Sequence, residues 1–192
     1  MSNELVFESF GKIGRLSREV IITEKIDGTN AQIIIGEDGS FATASRTRLI
    51  TPTDDNYGFS KWAHDHKDEL MTLGPGRHFG EWWGQGIQRN YSQPVKRFSL
   101  FNVSRWADGG KDADKRPVCV GVVPLLWRGD FDTNAIKGVL HNLEKGGSIA
   151  APGFMKPEGI VIFHTANGVL FKKTLEDDDK GKRKDSLVKE KP

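Results

Sequence analysis

Apolar positions in this chain recur mostly with a period of two, in short runs closed by glycine, proline, asparagine and aspartate. Val20, Ile21 and Ile22 mark a strand over 19–26, and a second follows over 30–36 beyond an Asp27-Gly28 turn. Glu37-Asp38-Gly39 is a hairpin signal leading into a strand over 40–46. Strand-like runs continue over 77–84, 96–103 and 117–127, and a last hairpin is predicted over 158–164 and 168–174 around Asn167-Gly168. Two stretches switch to helical spacing. Over 59–73, Phe59, Trp62, Ala63, His66, Leu70 and Leu73 share a face. Over 132–145, Ile136, Val139, Leu140 and Leu143 form a stripe, with Asp132 or Thr133 to cap it and Gly146 to end it. Strands dominate and are not regularly separated by helices. That pattern predicts an α+β fold with mainly antiparallel sheets and flanking helices.

The polar stretches complete the outline. Residues 107–117 read as a loop, and 176–192 carry so little apolar content that a charged, disordered tail is predicted there. With no internal repeat, one domain is expected over 1–175. A length of 192 residues suits one domain with a real core. The longest apolar runs, such as Val118 to Trp127, are interrupted by glycine and proline and too short to span a bilayer. The N-terminal residues lack the basic start and apolar core of a signal peptide. The single cysteine, Cys119, excludes an internal disulfide and any multi-cysteine zinc site, and its valine neighbours point to packing. These features predict a cytoplasmic protein without membrane contact. The net charge of +2 is too small to argue for a partner. Arg46, Arg48, Lys96, Arg97, Arg105, Lys172 and Lys173 could form a local phosphate-binding surface or be ordinary solvated charges.

Several familiar chemistries are missing. There is no G-x-x-x-x-G-K-[ST] loop, and Gly74 to Gly80 misses G-x-G-x-x-G spacing by one residue, so it reads as a turn. His64 and His66, two apart on a helix, point to different faces and do not make a metal pair. What stands out is Glu24-Lys25-Ile26-Asp27-Gly28-Thr29-Asn30, which places one lysine at the end of a buried-type strand and before a tight turn.

That stretch resembles motif I (K-x-D-G) of the covalent nucleotidyltransferases, the polynucleotide ligases and mRNA capping enzymes. The form EKxDGTN is typical of RNA ligases, particularly the RNA ligase 2-like group. K-x-D-G alone is a weak signal, but further motifs follow in family order. Ser45-Arg46-Thr47 resembles the motif whose arginine contacts the nucleotide and the RNA end. Phe79-Gly80-Glu81-Trp82-Trp83-Gly84, extended through Arg89, resembles motif III, with Glu81 its acidic residue. Phe98 to Val103 resembles motif IIIa, in which Phe101 would stack on adenine. Pro157-Glu158-Gly159-Ile160-Val161-Ile162 resembles motif IV, with Glu158 near the metal. Leu170-Phe171-Lys172-Lys173 resembles motif V. The likeness covers residues 20–174.

The resemblance implies a ligase-type adenylyltransferase domain that uses ATP with Mg²⁺ or Mn²⁺. Lys25 would attack the α-phosphorus, expel pyrophosphate and become a lysyl-AMP. AMP would then pass to a 5′-phosphate end, and a 3′-hydroxyl would attack that activated end. A free lysine, with a pKa of about 10.4, is almost wholly protonated at neutral pH. A nucleophilic lysine must shed that proton, and nearby cations favour the loss. Lys172, Lys173 and the metal could serve while neutralising charge on the phosphate. Glu158 would hold a hydrated Mg²⁺. Glu24, Ile26, Asn30, Arg46, Glu81 and Phe101 are the implied nucleotide-binding residues. Stacking on Phe101 would add roughly 1–3 kcal/mol.

Motif V departs from the family form K-x-K, which puts two lysines on one strand face. In Phe171-Lys172-Lys173-Thr174, either Thr174 takes the second place or a bulge brings both lysines in. The expected function is an RNA ligase acting on RNA strand ends, in a nicked duplex or hybrid among other arrangements. Two alternatives are a minimal DNA or DNA–RNA hybrid nick ligase and an end-binding subunit that does not ligate. From the short stretch after motif V, a C-terminal OB-fold like that of DNA ligases and capping enzymes is not expected. A protein partner could therefore supply end recognition.

Overall fold

The computed structural model describes residues 6–176. The tail expected at 176–192 therefore lies, apart from Glu176, outside the described residues.

Among the described residues, ten strands form two sheets. One has four strands in the order β10 (Val169–Thr174), β9 (Gly159–His164), β1 (Glu19–Lys25) and β8 (Leu125–Asp130). The other has six, in the order β4 (Leu49–Ile50), β3 (Phe41–Ser45), β2 (Thr29–Ile35), β5 (Gly76–Gly84), β6 (Lys96–Leu100) and β7 (Val120–Val122). Every pairing is antiparallel except β6 with β7. This is the expected α+β architecture.

Burial explains the arrangement. In β1, Val20, Ile21 and Ile22 are all buried because the strand is covered on both faces. One face packs on helix α4 (Thr133–Gly146), where Leu140 and Leu143 meet Val20, Ile22, Ile160 and Ile162. The other face meets the six-stranded sheet: Ile21 and Phe163 pack with Trp83, Ile26 and Tyr91. The far side of the larger sheet, with Ala31, Ile33 and Ile35 at alternate positions of β2, packs under helix α1 (Phe59–Asp65) around Phe59, Trp82 and Phe98. The order of layers is helix, sheet, sheet, helix, and burial of these faces drives assembly.

Asp27-Gly28 turns the chain, but β1 and β2 do not form a hairpin, because the segment crosses from one sheet to the other. Gly28 is required by crowding: a Cβ there would lie 2.5 Å from the Trp82 carbonyl oxygen.

Four elements differ from their expected bounds. The helix over 59–73 breaks at His66 into α1, α2 (Lys67–Leu70) and a 3₁₀ turn at Met71–Leu73. The imidazoles of His64 and His66 engage the Ser60 and Trp62 carbonyls, each at 2.8 Å. That geometry occupies one nitrogen of each ring locally. The run over 96–103 stops at Leu100, because the Asn102 side chain accepts the Arg105 N–H at 3.1 Å and caps a short helix, α3 (Val103–Trp106). The run over 117–127 is two strands in different sheets, separated at Pro124, which cannot donate to a ladder. Within 107–117 the expected loop contains a single 3₁₀ turn at Ala113–Lys115. Among the described residues no helix is long and apolar enough to cross a membrane.

Candidate active site

Lys25 ends β1 directly opposite Gly159, the first residue of β9. Glu158 immediately precedes that partner, so the strand pairing delivers its carboxylate to the lysine. Lys25 Nζ lies 2.5 Å from Glu158 Oε2, and both side chains are largely buried.

Glu81 approaches from the other sheet. It is 7% exposed, sits opposite Asn30 in the β2–β5 pairing, and accepts the Asn30 side-chain amide at 3.0 Å and the Gly28 N–H at 3.1 Å. Burial pushes its carboxyl up to about 7, against the pull of Asn30, the Lys25 charge and the Gly28 N–H; the nearby Glu158 adds to the rise. Two carboxylates from two sheets thus bear on one lysine. Phe79 lies two positions before Glu81 on the same face of β5 and is half exposed. Phe101, also exposed, follows β6, and its N–H donates to the Phe79 carbonyl at 3.0 Å. The two rings therefore leave apolar surface open at the end of paired strands, a surface suited to a flat base. Arg46 is exposed on the turn between β3 and β4.

The β9–β10 register decides motif V. Lys172 pairs with Val161, Lys173 with Ile160 and Thr174 with Gly159, without a bulge. Opposed residues share a face, and Val161 and Gly159 stand opposite Thr23 and Lys25 in turn. Lys172 and Thr174 therefore lie on the face of Lys25. Lys173, expected as a second catalytic lysine, lies on the opposite face with Ile160 and Glu24. The regular alternation of β10 is the reason.

Two further residues of the expected binding set direct their side chains elsewhere. Glu24, expected to contact nucleotide, is buried on the α4 side of β1. Its carboxylate accepts the Ser148 hydroxyl at 2.5 Å and the Ile149 and Ala150 N–H groups at 2.8 and 2.9 Å. That satisfies both oxygens and ties down the segment after α4. Ile26, likewise expected in the binding set, is 4% exposed and packs in the core between the sheets with Trp83 and Tyr91. Its position next to Lys25 in sequence does not give its side chain access to the cleft.

Sequence reasoning carried motif III as far as Arg89 but gave no role to Arg89 or Tyr91 in the loop 86–92. The Tyr91 hydroxyl accepts the Asp27 N–H at 3.0 Å, and Arg89 Nε donates to Asp27 Oδ2 at 3.2 Å. Nothing in the pattern of that loop announces a tie to residues more than 60 positions earlier.

A divalent cation fits this site only in a particular way. Among the described residues no group of three or more histidine, cysteine, aspartate or glutamate side chains could cage a metal. Glu158, backed by Glu81, offers hard oxygen donors of the kind that a hydrated Mg²⁺ takes.

Comparison with known proteins shows the family and the fold. The family model described as RNA ligase matches residues 18–174. Solved structures of an RNA ligase from Naegleria gruberi share the fold. A variant without ligand superposes with a TM-score of 0.63 at 21% identity, covering 82% of this chain and 50% of that one. A variant with ATP and Mn gives 0.62 at 19% identity, with 82% and 50% covered. A variant with AMP and Mn gives 0.59 at 19%, with 83% and 50% covered. The chain thus spans about half the length of the solved proteins it matches.

Proposed function

The chain belongs to the RNA ligase family, and from that membership we propose that it is an ATP-dependent RNA ligase joining 5′-phosphate to 3′-hydroxyl ends. The observation that carries this reading is the meeting of Lys25 at the end of β1 with Glu158, just before β9, and with Glu81 of β5, while Lys172 of β10 lies on the sheet face of Lys25.

Lys25 is the nucleophile. In the structure its ammonium donates to Glu158 and has no lone pair to offer. Attack on the α-phosphorus needs that contact released and a proton lost. When bound, a divalent cation supplies charge neutralisation at the phosphates, with Glu158 as the residue that holds it. Transfer of Glu158 away from Lys25 is then part of readying the amine. The bond from Lys25 Nζ to phosphorus forms as the bond to pyrophosphate breaks, giving the lysyl-AMP. Lys172, on the same sheet face, stabilises negative charge on the phosphate oxygens. Glu81 holds the 28–30 turn and presents an acceptor for a ribose hydroxyl. Phe101, beside Phe79, is the platform for adenine. AMP then moves to an RNA 5′-phosphate and leaves when a 3′-hydroxyl attacks.

ATP and a divalent ion are further supported by the Naegleria RNA ligase structures with ATP and Mn. The reading is tested by incubating the protein with α-labelled ATP and Mg²⁺ beside Lys25→Ala. A covalent label in the wild type alone, followed by sealing of matched RNA strands in preference to DNA, is expected. Labelling with sealing confined to DNA 3′-hydroxyl strands would make it a DNA nick ligase. Absence of label on folded protein that carries no AMP beforehand would leave an end-binding subunit.

A further inference from the structure

Gln88, Asn90, Tyr91 and Ser92 have φ angles of 45°, 62°, 49° and 51°. Four non-glycine residues in the left-handed region within five positions is costly backbone, and it persists only where the surroundings impose it. The impositions are visible. Tyr91 is fully buried, its ring 4.6 Å from that of Phe154 and 5.5 Å from that of Trp83. Its hydroxyl accepts the Asp27 N–H, and burial holds it protonated far above neutral pH. Arg89 spreads its guanidinium over three separate segments: Asp27 Oδ2 at 3.2 Å, the Lys156 carbonyl at 3.1 Å and Glu176 Oε2 at 3.3 Å.

Asp27 is two residues beyond Lys25, and Lys156 is two residues before Glu158. The strained loop therefore grips the chain next to both members of the Lys25–Glu158 pair, from a sheet to which neither belongs. A loop needed only to fill the core could bury Tyr91 without its hydroxyl and without a three-way arginine.

We propose that Arg89 and Tyr91 are positioning residues that fix Lys25 and Glu158 relative to each other for attack on the nucleotide. The role rests on the reading of Lys25 as nucleophile. Both act through Asp27 and the 156–158 segment, and neither needs to touch the nucleotide. Displacing a reacting group by about 1 Å can cost about 100-fold in rate without weakening binding.

Tyr91→Phe removes only the hydroxyl, Arg89→Met removes the fork and charge, and Arg89→Lys retains the charge. Three readouts are taken on the full chain: melting temperature, the first-turnover rate of AMP transfer against ATP concentration, and acylation of Lys25 by trace acetic anhydride without ATP. The acylation is followed by mass spectrometry relative to the other lysines. Tyr91→Phe and Arg89→Met should lower the maximal rate about tenfold or more, with half-saturating ATP within about threefold of wild type. Lys25 should acylate faster in both, released from its fixed pair, and Arg89→Lys should recover part of the rate. Unchanged rates with unchanged acylation would overturn the proposal. So would losses of rate that merely follow losses of melting temperature. Should Arg89→Met fail to fold, Tyr91→Phe decides alone. If the wild type transfers no AMP, the ligase reading falls, and unchanged Lys25 acylation in the variants would then overturn the positioning role separately.

Discussion

Lys25 and Glu158 are 133 positions apart in sequence, yet their side chains meet at 2.5 Å because β1 and β9 pair in a register that sets Lys25 against Gly159. One ladder places both the proposed nucleophile and the proposed metal-holding carboxylate. The pair also sets a resting state, since the ammonium that donates to Glu158 has no lone pair with which to attack. Removing Glu158 should therefore have two consequences that separate. Glu158→Gln is expected to slow AMP transfer by about 100-fold or more, as loss of a charge-stabilising group does. Its dependence on metal concentration should shift to higher values. Meanwhile Lys25 should become more reactive towards acetic anhydride. A variant with normal transfer and normal metal dependence would remove Glu158 from the mechanism.

The carboxyl of Glu81 should make stability fall with rising pH. Its folded pKa is raised from 4.5 to about 7, so between those values the folded state holds a proton that the unfolded state has lost. By linkage, stability declines through that window and levels off above it. The full effect is on the order of 3 kcal/mol. Glu81→Gln abolishes the titration and keeps the shape, and the Asn30 amide can turn to match the new amide. Melting temperatures from pH 4.5 to 8 should thus show a steeper decline for wild type than for Glu81→Gln. Parallel curves would show that Glu81 is ionised throughout.

The strand register separates two adjacent lysines. Lys172→Ala should reduce AMP transfer by about 100-fold, because a cation facing the phosphate is lost. Lys173→Ala, on the α4 side of the sheet, should leave the rate within about threefold once any change in stability is corrected. First-turnover assays on both variants read this directly. Equal losses would require β10 to be bulged, contrary to the pairing of Lys172 with Val161 and Lys173 with Ile160.

Much of this was legible in the sequence, for identifiable reasons. Burial alternates along β2, whose buried face carries Ala31, Ile33 and Ile35, and α4 shows its stripe and its Asp132 cap, whose side chain accepts the Asn134 N–H at 2.8 Å. Lys25, Glu81 and Glu158 stood in ordered motifs, and the fold brings them together. What failed was information that lives between elements. Asp27-Gly28 looks the same whether it closes a hairpin or joins two sheets. Lys172-Lys173 does not state which residue faces Lys25 until β10 is placed against β9. Neither Tyr91 nor Arg89 is near Asp27 in sequence, so no local pattern could assign them. Glu24 shows the same limit: adjacency to Lys25 in a strand puts its side chain on the opposite face.

Glu24 provides the sharpest test of that placement. A buried carboxylate that accepts three bonds from Ser148, Ile149 and Ala150 is a structural tie between β1 and the segment after α4. Glu24→Ala would strand those donors, each unsatisfied group costing about 1–3 kcal/mol where water cannot reach it. Partial relaxation makes about 3 kcal/mol a reasonable total, which for a chain of this size lowers the melting temperature by about 10 °C. A side chain that contacted nucleotide would behave differently: its removal would weaken ATP saturation and leave the melting point of the free protein nearly unchanged. Thermal melts without ATP and saturation curves well below the transition distinguish the two. The expected result for Glu24→Ala is a large loss of stability with half-saturating ATP close to wild type. The reverse would return Glu24 to the binding site.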